Sequence, residues 1–470
     1  MIYLDQDQNG VLDTYERSTT TDADGNYNFG DLVAGVNYYV NEVITSLGNG
    51  WEQITGVTKP INLTLGQNSK DNDFSNKAYG HITVIKQIEP DTDEGKFNLL
   101  IDGVAHATNV GNNGTTGSIK VEAGTHTVGE ELAGISENLA KYYTTTYSCN
   151  NDMNGSSATI TNIVIAAGSD VTCTFANTRK TGTVKVVKDV VNDNGGTKTA
   201  AKDFTFTNNG GTAQTFEETT GPDGERVLTL PVGSGFSIVE PEANSGGYAT
   251  SYSGACSGTV TEQDKTCTIT NNDQPGTLIV KKIVTNDNGG SKKAKDFQFI
   301  VNDGQATSFE ADGQNNLTVN AGKYSVTEVA DSGYATTYNK CTDIVIANGS
   351  TATCTIKNDD IQPKLTVIKH VVNDGTNLTK TASDFTMNVT GSDVSDDSFS
   401  GSESGVTVTL KAGSYSVSEA GDAANYAVDY SADCKDKTIA VGETKTCTVT
   451  NTAILKPQIH VVKTGPAIAH

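Results

Sequence analysis

An internal repeat constrains this chain more than any other feature. Four segments carry the same markers in the same order. Each opens on a β-branched strand ending in lysine: Thr83-Val-Ile-Lys86, Lys185-Val-Val-Lys188, Ile279-Val-Lys-Lys282 and Thr366-Val-Ile-Lys369. Three of these run into Asn-Asp turns at Val191-Asn-Asp, Thr285-Asn-Asp and Val372-Asn-Asp. An aromatic strand follows, as in Asp203-Phe-Thr-Phe, Asp296-Phe-Gln-Phe and Asp384-Phe-Thr-Met. Next comes a strand ending in glutamate: Thr127-Val-Gly-Glu130, Ser237-Ile-Val-Glu240, Ser325-Val-Thr-Glu328 and Ser416-Val-Ser-Glu419. The last strand begins with cysteine and ends with asparagine: Cys173-Thr-Phe-Ala-Asn177, Cys267-Thr-Ile-Thr-Asn271, Cys354-Thr-Ile-Lys-Asn358 and Cys447-Thr-Val-Thr-Asn451. Successive opening lysines lie about 85 to 105 residues apart, the size of a seven-stranded sandwich.

Short alternating runs separated by Gly, Asn and Asp read as strands throughout, and no segment sustains a helical period. With 35% hydrophobic residues and 48 glycines, the composition is that of a globular chain rather than a disordered one. The expected fold is all-β, a series of tandem immunoglobulin-like β-sandwich domains. The expected boundaries are 1–78, 79–180, 181–274, 275–361 and 362–454, with 455–470 as the start of a further, truncated domain. Asn272-Asp-Gln-Pro-Gly276 and Asp359-Asp-Ile-Gln-Pro363 read as short linkers whose proline restricts bending, which predicts an extended, semi-rigid array. The first segment differs. It shares the endings Tyr39-Val-Asn-Glu42 and Phe74-Ser-Asn76 but has neither cysteine nor an opening lysine strand, and Trp51 reads as a core-edge or loop residue.

Charge and pattern narrow the function classes. The chain carries 33 basic and 56 acidic residues, a net of −23. Such a surface repels phosphate backbones and anionic headgroups, so nucleic acid is excluded as a partner. No stretch approaches the roughly 20 apolar residues of a membrane span. No signal peptide follows Met1, and Ile459-His-Val-Val-Lys-Thr-Gly-Pro466 reads as the start of another strand, so both ends read as truncated. The six histidines are scattered and no nucleophile–base pair recurs, which argues against an enzyme.

The cysteines fall two per repeat, as Cys149 and Cys173, Cys256 and Cys267, Cys341 and Cys354, and Cys434 and Cys447. No CxxC occurs and no histidine sits at ligand spacing, which excludes zinc. One disulfide within each repeat is the economical reading and requires an oxidising compartment. Eight free buried thiols are the alternative.

Strand alternation turns three polar residues of each repeat toward the core. Lys86 shares parity with Val84, Glu328 with Val326, and Asn271 with Ile269 and Cys267. The candidate triads are Lys86, Glu130 and Asn177; Lys188, Glu240 and Asn271; Lys282, Glu328 and Asn358; and Lys369, Glu419 and Asn451. Burial lowers the pKa of a lysine and raises that of a glutamate. A neutral amine is a nucleophile, and a protonated glutamate can polarise the asparagine amide and shuttle protons. These are the ingredients of a self-formed Lys–Asn isopeptide bond with loss of ammonia. The alternative is an ordinary buried Lys–Glu pair hydrogen-bonded to asparagine. The first segment has Glu42 and Asn76 but no such lysine, so no crosslink is expected there.

Near the N-terminus, Asp5-x-Asp7-x-Asn9-Gly10-x5-Glu16 matches a twelve-residue calcium loop. Asp5, Asp7 and Asn9 would supply side-chain oxygens, Val11 a carbonyl, Asp13 a water-mediated contact and Glu16 two oxygens, while Gly10 permits the turn. The alternative is an acidic turn without metal. Flanking helices are absent, so a structural calcium ion rather than a sensor is expected. Asp22, Asp24 and Asn26 read as turn residues.

The recurring Tyr-Ser-Val-x-Glu and Cys-Thr-[Ile/Val]-x-Asn strands resemble the prealbumin-like (SpaA-like, CnaB-type) domains of bacterial surface proteins and pili. The first segment resembles the calcium-binding B-type repeats of serine-aspartate-rich staphylococcal surface proteins. Together the resemblances cover about residues 1–454. They imply isopeptide bonds at the triads, an extracellular, cell-surface or cell-wall location, and a structural stalk or adhesin shaft. Its partners would be neighbouring domains of a longer surface protein and, in the alternative reading of an adhesive module, host or cell-surface proteins or glycans met through domain loops.

Overall fold

The structure, a computed structural model, describes residues 1–218, 224–421, 424–456 and Gly465. It is a series of small β-sandwiches in tandem. The C-terminal one shows the plan. One sheet runs in the order Val406–Thr409, Lys364–Val372, Thr444–Ala453, Tyr426–Tyr430, and the other in the order Ser398–Ser400, Thr386–Thr390, Gly413–Ala420, Lys437–Ile439. The opening strand lies parallel to the closing strand, and every other ladder in the domain is antiparallel. Alternation then sends Leu365, Val367, Val417, Cys447 and Val449 into one core with Phe385 and Met387. A sandwich of this size closes when two such faces meet.

The parallel pairing of opening and closing strands recurs three more times. Ser75–Glu89 pairs with Asp170–Arg179, Thr181–Val191 with Lys265–Asp273, and Gly276–Thr285 with Thr351–Asp360. The first segment is sparser. Ile2–Leu4 lies between Ser18–Thr19 and Val40–Glu42, over a small cluster of Ile2, Leu4 and Val40. Half-buried Trp51 begins the strand Trp51–Thr55, which pairs with the start of Ser75–Glu89.

The Asp-Phe markers have a local cause. Asp203, Asp296 and Asp384 each end a single 3₁₀ turn, and each carboxylate accepts the backbone N–H of the residue three before it, at 3.1, 2.8 and 2.7 Å. The chain leaves each turn extended, with Phe204, Phe297 and Phe385 directed into the core.

The linkers are shorter than their polarity suggests. Asn272 and Asp273 belong to a closing strand, opposite Ala249 and Tyr248, and the next strand starts at Gly276. Asp359 and Asp360 likewise complete the strand Thr351–Asp360. One residue, Lys180, separates two strands. The strand Ser75–Glu89 runs unbroken through the boundary expected at 78 and 79. The strand expected after Gln458 lies outside the described residues. No helix among the described residues is long and apolar enough to cross a membrane.

All eight cysteines are bonded in the four pairs within repeats, with Cα–Cα distances of 4.0, 4.6, 4.6 and 4.8 Å. In the last three, the carbonyl of the first cysteine accepts an N–H from the glutamate strand of the opposite sheet, from Ile238, Val326 and Val417. Each disulfide therefore ties the closing strand to a loop held by the other sheet. Replacing Cys434 and Cys447 together with alanine is expected to lower that domain's stability by about 3 kcal/mol in chemical denaturation, and an unchanged midpoint would contradict this role.

Candidate functional site

The parallel ladder sets the triads. Lys86, Lys188, Lys282 and Lys369 stand opposite Phe175, Ile269, Ile356 and Val449, each two residues before the asparagine of its closing strand. Lysine and asparagine thus point into the same core from adjacent strands, and glutamate meets them from the opposite sheet. The lysine ammonium lies 2.9, 2.9 and 2.8 Å from the carboxylates of Glu130, Glu240 and Glu419, and Lys282 pairs with Glu328 in the same way. Asn271, Asn358 and Asn451 donate Nδ2 to the other carboxylate oxygen at 2.6, 2.5 and 2.8 Å. Asn177 is buried beside Glu130 in the fourth case. Every one of these lysine side chains is 0% exposed.

Two features of the sites bear on chemistry. First, burial pulls all four lysine amines below their ordinary range against the opposing pull of the glutamates, and burial pushes the Glu130 carboxyl up. At the Lys86 and Glu130 site both directions favour a neutral amine beside a carboxylic acid. Second, the carboxamide oxygens of Asn177, Asn271, Asn358 and Asn451 are buried without a hydrogen-bond partner. An unsatisfied buried acceptor costs about 1–3 kcal/mol, and the Asn76 oxygen of the first segment, which has no lysine, is in the same state.

Sequence reading missed the floor of each site. The lysine Nζ sits 4.5, 4.3, 4.3 and 4.7 Å from the ring centroids of Phe97, Phe204, Phe297 and Phe385. Tyr143, Tyr248, Tyr334 and Tyr426 pack edge-on against those same rings. The Asp-Phe marker singles out Phe204, Phe297 and Phe385 in the sequence, but not the lysine that rests on each ring, and Phe97 lacks the marker. In the first segment Asn76 donates to both oxygens of Glu42 at 2.9 Å, and Ile2 stands opposite Glu42.

The acidic loop is also assembled. Asp5, Asp7 and Glu16 bring one carboxylate oxygen each within 4.8 Å of the others. Asp5 accepts the N–H groups of Asn9 and Gly10 at 3.1 and 2.9 Å, and Glu16 accepts those of Gln6 and Asp13 at 2.6 and 3.0 Å. Gly10 has φ +76°, the left-handed turn that favours glycine. Asn9 turns its Nδ2 toward Asp7 and Asp13, and Val11 is exposed. Asp22 accepts the N–H groups of Asp24 and Asn26 at 3.0 and 2.8 Å, a plain turn.

A second acidic group, Asp287, Asp359 and Asp360, was not foreseen. Its buried member already has donors. Asp360 accepts N–H groups from Asp287, Asn288 and Gly290 at 3.0, 2.9 and 2.7 Å, and Asp273 holds Asp193, Asn194 and Gly196 in the same way. These carboxylates lock the Asn-Asp turns.

The fold and its repeated polar core define a chain of tandem β-sandwich domains, four of them with lysine, glutamate and asparagine joined at one point. Two profiles of a prealbumin-like fold domain of the SpaA type match it, one over residues 179–272, 273–356 and 360–454 and the other over residues 91–179. The chain belongs to this family. Residues 1–90 lie outside the matched ranges. Among solved structures it is similar to the Bacillus anthracis TIE protein at 16% identity, over 81% of this chain and 70% of that one, with a TM-score of 0.40. It is similar to two B repeat units of the collagen-binding protein of Staphylococcus aureus at 13% identity, over 80% and 100%, with a TM-score of 0.21. It is similar to BcpA, the major pilin subunit of Bacillus cereus, at 13% identity, over 60% and 99%, with a TM-score of 0.27. No curated protein sequence matches.

The Asp360 carboxyl gives a pH prediction. Burial would raise its pKa, but the N–H groups of Gly290, Asn288 and Asp287 outweigh burial and hold it below the usual range. Such a group stabilises the fold fully above the unfolded value of about 3.9, and the contribution is lost as pH falls through the lower folded value. Urea denaturation should therefore show the wild type losing more stability than Asp360→Asn as pH falls below about 4. Equal losses in the two proteins would contradict the assignment.

Proposed function

We propose that this chain is the structural stalk of a bacterial cell-surface protein or adhesin, with domains at residues 79–180, 181–274, 275–361 and 362–454 stiffened by internal crosslinks. The observation that carries the reading is the recurrence of one triad geometry in four cores, each with a buried, unpartnered asparagine carbonyl oxygen. A stalk of this kind acts by resisting extension outside the cell, and its direct partners are its neighbouring domains.

The crosslink is a Lys–Asn isopeptide bond formed on folding. Glutamate accepts a proton from the lysine, and the neutral Nζ attacks Cγ of the asparagine. A Cγ–Nζ bond forms and the Cγ–Nδ2 bond breaks. Glutamate passes its proton to the leaving nitrogen and takes the second Nζ proton, so the new amide nitrogen keeps one hydrogen and the leaving nitrogen departs as ammonia. A protonated glutamate turned toward the carboxamide oxygen would satisfy that otherwise unpartnered acceptor, which supports reaction over a static ion pair. Preorganisation in a dry core supplies the effective concentration. Intact mass spectrometry should find the folded chain lighter by one ammonia per reacted triad. Glu419→Ala should restore one ammonia beyond its side-chain change. A mass difference equal to the side-chain change alone would sink the crosslink in that domain.

The N-terminal loop is proposed to hold a structural calcium ion, within a domain at residues 1–78 like the B-type repeats. Asp5, Asp7, Asn9, the Val11 carbonyl and Glu16 would ligate it, with Asp13 acting through water. Supporting this, Asp5, Asp7 and Glu16 bring one carboxylate oxygen each within 4.8 Å of the others. When bound, the ion would offset that negative charge and stiffen the loop. Calorimetric titration with calcium chloride should show binding to the full chain and none to the Asp5→Ala, Asp7→Ala double variant. Equal heats from the two, or none from the wild type, would rule out the site.

A further inference from the structure

The closing strands share a feature beyond the triad. The residue three positions after the asparagine is Tyr79, Lys180, Gln274, Ile361 or Ile454. In all five, its backbone N–H donates to the carbonyl just before the aromatic that begins the neighbouring strand. The acceptors are Gly50, Tyr142, Gly247, Gly333 and Asn425, at 2.6, 2.9, 2.7, 2.9 and 2.8 Å. In the first four, its own carbonyl then accepts an N–H from a turn of the following sandwich. The donors are Gly168, Val232, Gly349 and Gly442, at 2.8, 2.9, 2.9 and 2.7 Å.

We propose that this residue is a backbone stitch and that each domain end is a docking surface for the turn of the next domain. Successive sandwiches are thereby held in a fixed relation by hydrogen bonds running straight through the junction. Proline stiffness alone does not explain it, because the junctions at Tyr79 and Lys180 contain none.

Four further contacts fall on the corresponding surfaces of these junctions. The turns locked by Asp273 and Asp360 present the carbonyls of Asn194 and Asn288, which accept the N–H groups of Ala321 and Ala412 in the next domain at 2.8 Å each. Asn348 reaches back from the following domain to donate to the Asp273 carboxylate at 3.2 Å. At the equivalent position of the first junction between cysteine-bearing domains, Arg179 donates to the carbonyl of Val232 at 2.6 Å. The approach is tight enough to select glycine. A Cβ on Gly247, which has φ +80°, would lie 2.3 Å from the carbonyl oxygen of Asn348, and one on Gly50 would lie 2.0 Å from the nitrogen of Gly168.

The partner that fits is therefore another domain of this kind, offering a backbone N–H at a narrow turn. The inference concerns backbone contacts between domains and holds whether or not the triads react. Its test is residue-resolved amide hydrogen exchange on the full chain. The amides of Gln274, Ile361, Gly349 and Gly442 should exchange at least about 100-fold more slowly than unstructured amides, and unprotected rates would overturn the proposal. Gln274→Pro, which removes the donor, should speed exchange at Gly349 about tenfold or more while leaving Cys267 to Asn271 protected. Retained protection at Gly349 would overturn the stitch. Should that variant unfold the domain, Gly247→Ala decides the matter, because it separates the two faces while keeping the Gln274 N–H. Loss of protection at Gly349 supports the docked junction and an unchanged rate refutes it.

Discussion

The fold turns on one polar contact in an otherwise apolar core. A lysine on the opening strand and an asparagine on the closing strand meet a glutamate from the opposite sheet. Removing an ion pair from water costs several kcal/mol per ion, which close pairing and hydrogen bonding offset only in part. Apolar residues would pack such a core at lower cost. The retention of the triad in four cores therefore points to a use beyond stability, and the depressed lysine amines with their phenylalanine floors point to chemistry.

The disulfides and the triads secure the same elements. The first cysteine of each of the last three pairs sits in a loop bonded to the glutamate strand, and the second lies four residues before the triad asparagine. The closing strand is thus tied to the opposite sheet at one end and to the opening strand at the other. Because opening and closing strands lie side by side and parallel, tension entering a domain at one and leaving at the other shears a single ladder. A covalent Lys–Asn link would carry that tension across the ladder, and the backbone stitch three residues later would hand it to the next sandwich.

Much of this was legible from residue order. The parity of Lys86 with Val84 and of Asn271 with Ile269 placed both in the core, and even cysteine pairing placed the disulfides. The shared register was not legible, because it depends on two strands some eighty residues apart lying parallel. Asn272 and Asp273 looked like linker because they are polar, yet they extend a strand: Asp273 is satisfied by the turn it locks. Phe204 read only as an aromatic strand residue, since nothing local shows that an ammonium will rest on its ring. The stitch was invisible because it uses main-chain N–H and C=O groups, so tyrosine, lysine, glutamine and isoleucine serve equally at its position. The calcium spacing was plain from Asp5 to Glu16, although Asn9 directs its amide nitrogen toward Asp7 and Asp13.

Single-molecule extension of the full chain under reducing conditions tests the central claim most directly. With opening and closing strands covalently joined, the four cysteine-bearing domains should release no length under force, and only the first segment should extend. Four further unfolding steps, each releasing the chain between a triad lysine and its asparagine, would contradict the account.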